Sequence, residues 1–278
     1  LALGRDRNDP DVVRAGADGG IVGALAAQMG GVETLDVVSG DTAVRVDRPR
    51  YSNLEPRFLS VKVGANATLT RIVIQSNRAD AVVLDATHVS LAKGAKFKQV
   101  IVADGAKLAR IETRVVVEGE GAEVELNGLY MCGPGRHADL TSVIEHKAGA
   151  GKTRQLIKGV ARKGGRGVFQ GKIVVEHGAQ KTDARQYHYG MLLEEGAEIF
   201  AKPELLIHAD DVQCAHGNTA GGLDETALFY MRSRGVPEAQ ARALLIEAFL
   251  SDTIPEWAAP DVRKEIEGRI RTWLGGER

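Results

Sequence analysis

Short runs rich in β-branched residues recur between residues 51 and 210, and each run predicts a β-strand. Gly, Ala, Asn and Asp separate the runs, which is typical of tight connections between short strands. No helical period competes with this pattern before residue 223. The predicted strands include Leu59–Val63, Thr68–Gln75, Ala81–Leu84, Gln99–Val102, Arg114–Val117, Val124–Leu126, Gly167–Val175 and Glu204–His208.

A Gly-Ala pair precedes many of these runs, and its recurrence indicates a repeating architecture. Successive pairs are 11 to 30 residues apart, a range typical of solenoid coils, in which glycine permits tight corners. An antiparallel sandwich or a series of hairpins would also use short strands and glycine turns. Asn-Gly and Asp-Gly hairpin signals are few and aromatic residues make up only 5% of the chain, so the pattern favours a β-helix. The pairs begin at residues 64, 94, 105, 121, 149, 178 and 196.

The hydrophobic period changes at Leu223, and from there the sequence predicts helices. Asp224 is a suitable N-cap, and Gly235 followed by Pro237 indicates the end of one helix and the start of the next. Helices of this length cannot bury an apolar stripe alone, so they must pack on the end of the solenoid, on each other or on another protein. One stripe comprises Ala241, Leu244, Leu245, Ala248 and Phe249, and a second comprises Val262, Ile266, Ile270, Trp273 and Leu274.

The first 50 residues carry the weakest pattern in the chain. They are rich in glycine, with one short helix predicted over Ile21–Met29 and one alternating run over Thr42–Val46. We expect this region to be the remnant of a linker or of a truncated N-terminal domain. The predicted organisation is therefore an N-terminal remnant over 1–50, a β-helix over 51–222 and a small C-terminal α-helical domain over 223–278.

Charge and cysteine content limit the partners of the chain. Its 36 Lys and Arg residues nearly balance 37 Asp and Glu residues, which disfavours a nucleic-acid or membrane partner. The longest apolar runs, such as IVGALAA at 21–27, are shorter than the roughly 20 residues that a membrane span needs. Cys132 and Cys214 are too few for a disulfide framework and fit a reducing compartment. We therefore expect a cytoplasmic protein.

Cys214 and His216 are the candidate metal ligands. They are two residues apart in a predicted strand, so both side chains point to one face with their bases about 6–7 Å apart. At that separation a thiol and an imidazole can share one soft metal ion. A closed metal site needs about four ligands, and free cysteines are often simply buried, so a structural role for Cys214 also remains open.

Asp210 and Asp211 offer a different chemistry. Paired carboxylates followed by His216-Gly217 are loosely similar to the acid pairs of polysaccharide-cleaving β-helices. Adjacent aspartates at a strand corner more often serve as turn residues. His188 lies in Tyr187-His188-Tyr189, which indicates a packed aromatic cluster or an interface patch. No glycine run has the spacing or position of a nucleotide-binding loop.

Four longer motifs follow one another over roughly residues 50–255. They are ELNGLYMCGPGRHADLTSVIEH (125–146), KGVARKGGRGVFQGKIVVEHGAQKTDARQ (158–186), KPELLIHADDVQCAHGNTAGGLDE (202–225) and ALFYMRSRGVPEAQARALLIEAFL (227–250). Together and in this order they resemble the SufB/SufD family of iron–sulfur cluster assembly proteins, and within it the SufD branch. The usual Gly-Ala-Thr after the histidine is here Gly217-Asn218-Thr219.

The resemblance implies a right-handed parallel β-helix with a C-terminal helical domain, and a scaffold subunit rather than an enzyme. It implies that the β-helix pairs with a SufB paralogue and that the helical end binds the SufC ATPase. A transient iron–sulfur cluster would form at the SufB–SufD interface with His216 contributing and Cys214 beside it, and no cofactor is expected in the isolated chain.

We expect Leu244, Leu245 and Phe249 to face the ATPase partner or the core of the domain. Two other functions remain open. One is a carbohydrate-active β-helix enzyme that uses Asp210 and Asp211. The other is a purely structural solenoid that self-associates into a homodimer.

Overall fold

Two parallel sheets form the body of the protein. The structure is a computed structural model that describes residues 20–29, 31–48, 54, 56–75 and 79–275. The first sheet contains β1 (Val32–Val37), β3 (Arg57–Val63), β5 (Val82–Leu91), β7 (Leu108–Val117), β9 (His137–His146), β11 (Arg166–Val175) and β13 (Glu198–Ile207). The second contains β2 (Thr42–Asp47), β4 (Thr68–Gln75), β6 (Lys96–Ala103), β8 (Glu123–Cys132), β10 (Lys152–Ala161), β12 (Asp183–Leu192) and β14 (Gln213–Gly221).

Successive strands alternate between the two sheets, and the pairing within each sheet is parallel. Each coil therefore contributes one strand to each sheet, which makes the molecule a parallel β-helix. The β-helix prediction is confirmed, and the alternative of an antiparallel sandwich is wrong.

The β-helix begins earlier than the sequence indicates. Strand β1 pairs with β3, and β2, which contains the predicted run Thr42–Val46, pairs with β4. The expected boundary at residue 51 is therefore corrected to Val32, because these short strands extend the two sheets by one coil. The predicted helix over Ile21–Met29 is present as α1 (Gly20–Met29).

The Gly-Ala pairs lie at corners between strands, as predicted. Gly94 and Gly121 have φ values of +64° and +72°, a region that side chains with a Cβ rarely adopt. The alanines that follow them, Ala95 and Ala122, are fully buried. Glycine therefore makes the turn possible, and alanine returns the chain to the narrow interior.

The interior consists of columns of side chains stacked in register along the coils. One column in the first sheet is entirely aliphatic, and each large side chain buried in this way contributes roughly 1.5–3 kcal/mol. Its members are Leu35, Val61, Val89, Val115, Ile144, Ile173 and Leu205. A column of the second sheet is mostly polar and consists of Arg45, Arg71, Gln99, Leu126, Gln155, Gln186 and His216.

Three C-terminal helices cover the outer face of the second sheet. They are α2 (Glu225–Ser233), α3 (Glu238–Ser251) and α4 (Pro260–Gly275), and Asp224 caps α2 as predicted by accepting from the backbone N–H groups of Thr226 and Ala227. Their buried residues form one cluster with outward side chains of the sheet. The cluster includes Ile72, Val100, Leu129 and Val160 from the strands and Leu228, Ile246, Leu250, Ile266 and Ile270 from the helices.

The predicted apolar stripes differ in accuracy. The second stripe is confirmed, since Val262, Ile266 and Ile270 are buried in α4. The first is confirmed in part, since Ala241 is buried and Leu245 and Phe249 pack against the same cluster. Leu244 and Ala248 are exposed, and α3 buries Ile246 and Leu250 instead. Among the described residues, none of the helices is both long and apolar enough to cross a membrane.

Candidate functional site

The last coil of the β-helix leaves both sheets open. Strands β13 and β14 are the terminal strands of the first and second sheets within the described part of the chain. Such edges carry backbone N–H and C=O groups that can pair with a further strand. Three large apolar side chains of β13 are exposed here, namely Phe200 at 53%, Leu206 at 44% and Ile207 at 42%. This end therefore has the features of a strand-pairing surface.

Cys214, His216 and Asn218 lie along β14 on the face that continues the interior columns. They are in register with Ala184, Gln186 and His188 of β12, which are all buried. Cys214 packs against the interior cluster, whereas His216 is exposed because no coil follows it. Because Cys214 and His216 are two residues apart in β14, their side chains share one face, with bases about 6.6 Å apart on a regular strand.

The two cysteines of the chain differ in burial. Burial raises the pKa of the Cys132 thiol to about 12, and this residue is fully buried. Burial also raises the pKa of Cys214, with a smaller contribution from the carboxylate of Asp183 and an opposing backbone hydrogen bond with Ala184. Cys214 is half-buried at the open end, so it can bind a metal once the metal displaces its proton.

A hydrogen-bonded chain beneath the terminal strand fixes Asn218. His188 Nδ1 is 2.7 Å from the side-chain oxygen of Asn218, and His188 Nε2 is 3.0 Å from the hydroxyl of Tyr130. The imidazole also stacks on Phe169 with ring centroids 5.0 Å apart. Burial lowers the pKa of His188, which keeps it neutral. A neutral imidazole that donates to Asn218 and accepts from Tyr130 satisfies all three groups.

His188 is thus part of a packed aromatic cluster, as the sequence indicates, but with different neighbours. The ring lies inside the β-helix, whereas Tyr187 and Tyr189 stack on each other with their ring centroids 6.4 Å apart. Strand alternation is the signal that separates the inward histidine from the two tyrosines.

The open end carries two side chains that could bind a soft metal, and no third candidate ligand joins them in the part of the chain that the structure describes. No group of three or more His, Cys, Asp or Glu residues among those described is placed to hold a metal ion. Closed sites for zinc and iron–sulfur clusters use about four protein ligands. Cys214 and His216 could therefore supply only half of such a site, and they are called the half-site below.

Asp210 and Asp211 lie in the corner between β13 and β14. Both are exposed. The backbone N–H of Asp211 donates to Gln180 Oε1 at 2.9 Å, and its carbonyl accepts from the N–H of Lys181. These backbone bonds join the corner to the preceding coil, which fits the role of turn residues.

The three predicted partner-contact residues of the tail separate into two groups. Leu245 and Phe249 pack against the cluster between the helices and the second sheet. The Lys158 ammonium lies 4.6 Å from the centroid of the Phe249 ring and 2.7 Å from Asp252, which ties α3 to β10. Leu244 is 45% exposed and remains available to a partner. Phe229 and Tyr230 of α2, which the sequence did not single out, are exposed at 71% and 57%.

These features define a parallel β-helix protein with a C-terminal helical covering, and sequence comparison gives the family. The profile described as "SUF system FeS cluster assembly, SufBD core domain" matches residues 31–249. The chain belongs to this SufBD core-domain family. The resemblance seen in the motifs is thus confirmed.

Several curated relatives share this region. A SufBD family iron–sulfur cluster assembly protein of Synechocystis is 32% identical over 226 residues, which cover 81% of this chain and 49% of the relative. The SufD protein of Escherichia coli is 34% identical over 172 residues, or 62% of this chain and 41% of that protein. A SufBD family protein of Mycobacterium leprae is 29% identical, with 97% and 70% covered. The chain spans about half the length of the first of these relatives.

Proposed function

We propose that this chain is a scaffold subunit of a SufBCD-type iron–sulfur cluster assembly complex and is not itself an enzyme. Iron and sulfur are the cargo, which the half-site holds together with ligands from a partner. One observation carries the proposal. Cys214 and His216 lie at an open sheet edge without a third ligand among the described residues, so a complete site requires a second chain.

The open edge supports a SufB-type paralogue as that second chain. Another β-helix can extend both sheets by strand addition, which pairs the exposed backbone groups of β13 and β14. Phe200, Leu206 and Ile207 supply apolar surface beside them. A second copy of this chain would fit the same edge, so the isolated protein is expected to form a homodimer.

The helical tail supports an ATPase partner of the SufC type. Phe229, Tyr230 and Leu244 are large, apolar and exposed on α2 and α3, away from the cluster that holds the helices to the sheet. Replacing Leu244 with Asp is expected to weaken ATPase capture in a pull-down without lowering the melting temperature. The matched control is Lys264→Asp at an exposed position of α4. Equal capture by both variants would exclude Leu244 from the interface.

Both cysteines of the chain are free. Free thiols persist in reducing compartments, which supports a cytoplasmic location.

Cluster assembly in the reconstituted complex tests the half-site. His216→Ala is expected to slow cluster formation at least roughly tenfold, because a ligand to the cargo is lost. His208→Ala, which removes an exposed histidine at the corner of the same coil, is the matched control and should assemble clusters at the wild-type rate. Unchanged assembly by His216→Ala in a folded complex would refute the role of this residue.

A further inference from the structure

The side chain of Gln186 lies one strand below His216 in the polar interior column. The two residues are in register across β12 and β14, and neighbouring strands are about 4.8 Å apart. Gln186 is 1% exposed, and neither the oxygen nor the nitrogen of its carboxamide has a hydrogen-bond partner. Buried amides are almost always hydrogen-bonded, so this one needs an explanation.

The preceding coil shows what Gln186 lacks. Gln155 occupies the same column, and its carboxamide exchanges hydrogen bonds of 3.2 and 2.8 Å with the hydroxyl of Ser142 on the opposite sheet. In the next coil the residue in register with Ser142 is Gly171. A glycine offers no hydroxyl, and Gln186 therefore has no partner across the interior.

The same glycine makes room for the amide. A Cβ at residue 171 would lie only 1.8 Å from Nε2 of Gln186, so the carboxamide occupies space that a side chain would fill. One column away, the in-register pair His188 and Asn218 is hydrogen-bonded at 2.7 Å. Side chains of β12 thus reach their partners on β14, and His216 is the polar residue of β14 in register with Gln186.

We propose that Gln186 is the positioning residue for His216, an inference that rests on the proposed function. When one ring nitrogen of His216 binds the metal cargo, the other carries a proton, and the carboxamide oxygen of Gln186 accepts that N–H. Histidine ligands generally donate their second N–H to an oxygen of this kind, which fixes the ring and raises its basicity. The buried amide then gains the partner that it otherwise lacks.

Zinc binding to the whole chain tests the inference, with Zn²⁺ as a diamagnetic soft-metal probe. Gln186→Leu keeps the size of the side chain but removes the acceptor, and it is expected to weaken zinc affinity by about tenfold or more. Gln186→Glu retains an acceptor oxygen and should bind zinc with the affinity of the wild type. Gln155→Leu is the matched control, because it removes a buried amide from the same column without touching His216, and it should leave the affinity unchanged.

Nuclear magnetic resonance supplies a readout that a purely structural role would not change. In the zinc-loaded wild-type chain the ring N–H proton of His216 should exchange slowly with water, and this protection should be lost in Gln186→Leu. The inference is overturned if Gln186→Leu binds zinc as well as Gln155→Leu and keeps the protected proton.

A further pair of results separates this inference from the proposed function. Equal zinc affinity in the wild type and in His216→Ala would also overturn the inference, since His216 would hold no metal for Gln186 to support. A protected His216 proton in a chain whose His216→Ala variant assembles clusters normally would support the inference and refute the proposed function.

Discussion

At the scale of single residues, the two cysteines are expected to differ sharply in labelling. Cys132 is fully buried, with a pKa of about 12, whereas Cys214 is half-buried at the open end. Iodoacetamide reacts with thiolates, so native protein at neutral pH should be alkylated at Cys214 and not at Cys132. Peptide mass spectrometry before and after unfolding measures the extent of alkylation at each cysteine. Labelling of Cys132 in the folded protein would contradict the burial described for it.

His146 should make stability depend on pH. Burial lowers its pKa from 6.5 to about 4, while its Nε2 lies 2.8 Å from the Thr153 hydroxyl. Between pH 6.5 and 4 the unfolded chain binds the extra proton, so the free energy of unfolding falls as the pH falls through this window. A shift of this size corresponds to roughly 3 kcal/mol. Urea unfolding at pH 7 and pH 4 should show a smaller loss in His146→Gln than in the wild type.

That Cys214 and His216 share one face of a strand could be predicted from the sequence. The position of Gln186 below His216 could not. Residues two apart on a strand share a face in any fold, so strand alternation alone is sufficient for this prediction. The position of Gln186 directly below His216 depends on the register of β12 against β14. Corner lengths and the stacking of whole coils set that register, and these are properties of the assembled β-helix.

At the scale of elements, the ring of Tyr130 ties three strands together. A Cβ at Gly159 of β10 would lie 1.8 Å from this ring, and one at Gly167 of β11 would lie 2.1 Å from it. Tyr130 cannot move aside because it is fully buried and hydrogen-bonded to His188. Gly159→Ala should therefore lower the free energy of unfolding by roughly 2–3 kcal/mol.

Gly133→Ala is the control for this substitution, since nothing lies within 4 Å of its Cβ position. It should change the free energy of unfolding by at most about 0.5 kcal/mol. Urea denaturation compares the two variants. Equal stability would show that the Tyr130 ring has space to move.

Strand prediction succeeds where aliphatic residues dominate a strand and fails where polar residues interrupt them. Strand β4 has the predicted bounds Thr68–Gln75, and its inward and outward positions include Leu69, Ile72 and Ile74. Strands β9, β10 and β12 were missed, because His, Asp, Thr, Lys and Gln interrupt the apolar pattern. Some of these polar residues face the interior, where they bond to each other across the coils, as Gln155 does with Ser142.

At the scale of the whole molecule, the open end should control association. Phe200→Lys introduces a charge beside the edge of β13, and charged side chains on an edge oppose strand pairing. Light scattering over a range of concentrations should show a weaker dimer of the isolated chain than in the wild type. Val44→Lys is the control, because Val44 is similarly exposed, at 59%, on β2 at the other end. Equal association of both variants would place the interface elsewhere.

The placement of the helical tail could not be predicted from its sequence. The stripe of α4 requires an apolar surface, but several surfaces satisfy that requirement. The outward residues of β4, β6, β8 and β10 provide the surface on which the helices pack, since they form one cluster with the helices. Charge pairs reinforce this placement, with Arg48 2.6 Å from Glu265 and Arg269 3.1 Å from Asp104.

The position of the C-terminal helices over the second sheet has a consequence for folding during translation. Ile72 and Val100 emerge from the ribosome long before Ile266 and Ile270, the residues that complete their cluster. While the strands are being synthesised, the outer face of the second sheet exposes its apolar side chains to water. This face stays open to water until translation has passed α4, which then packs over a surface made much earlier.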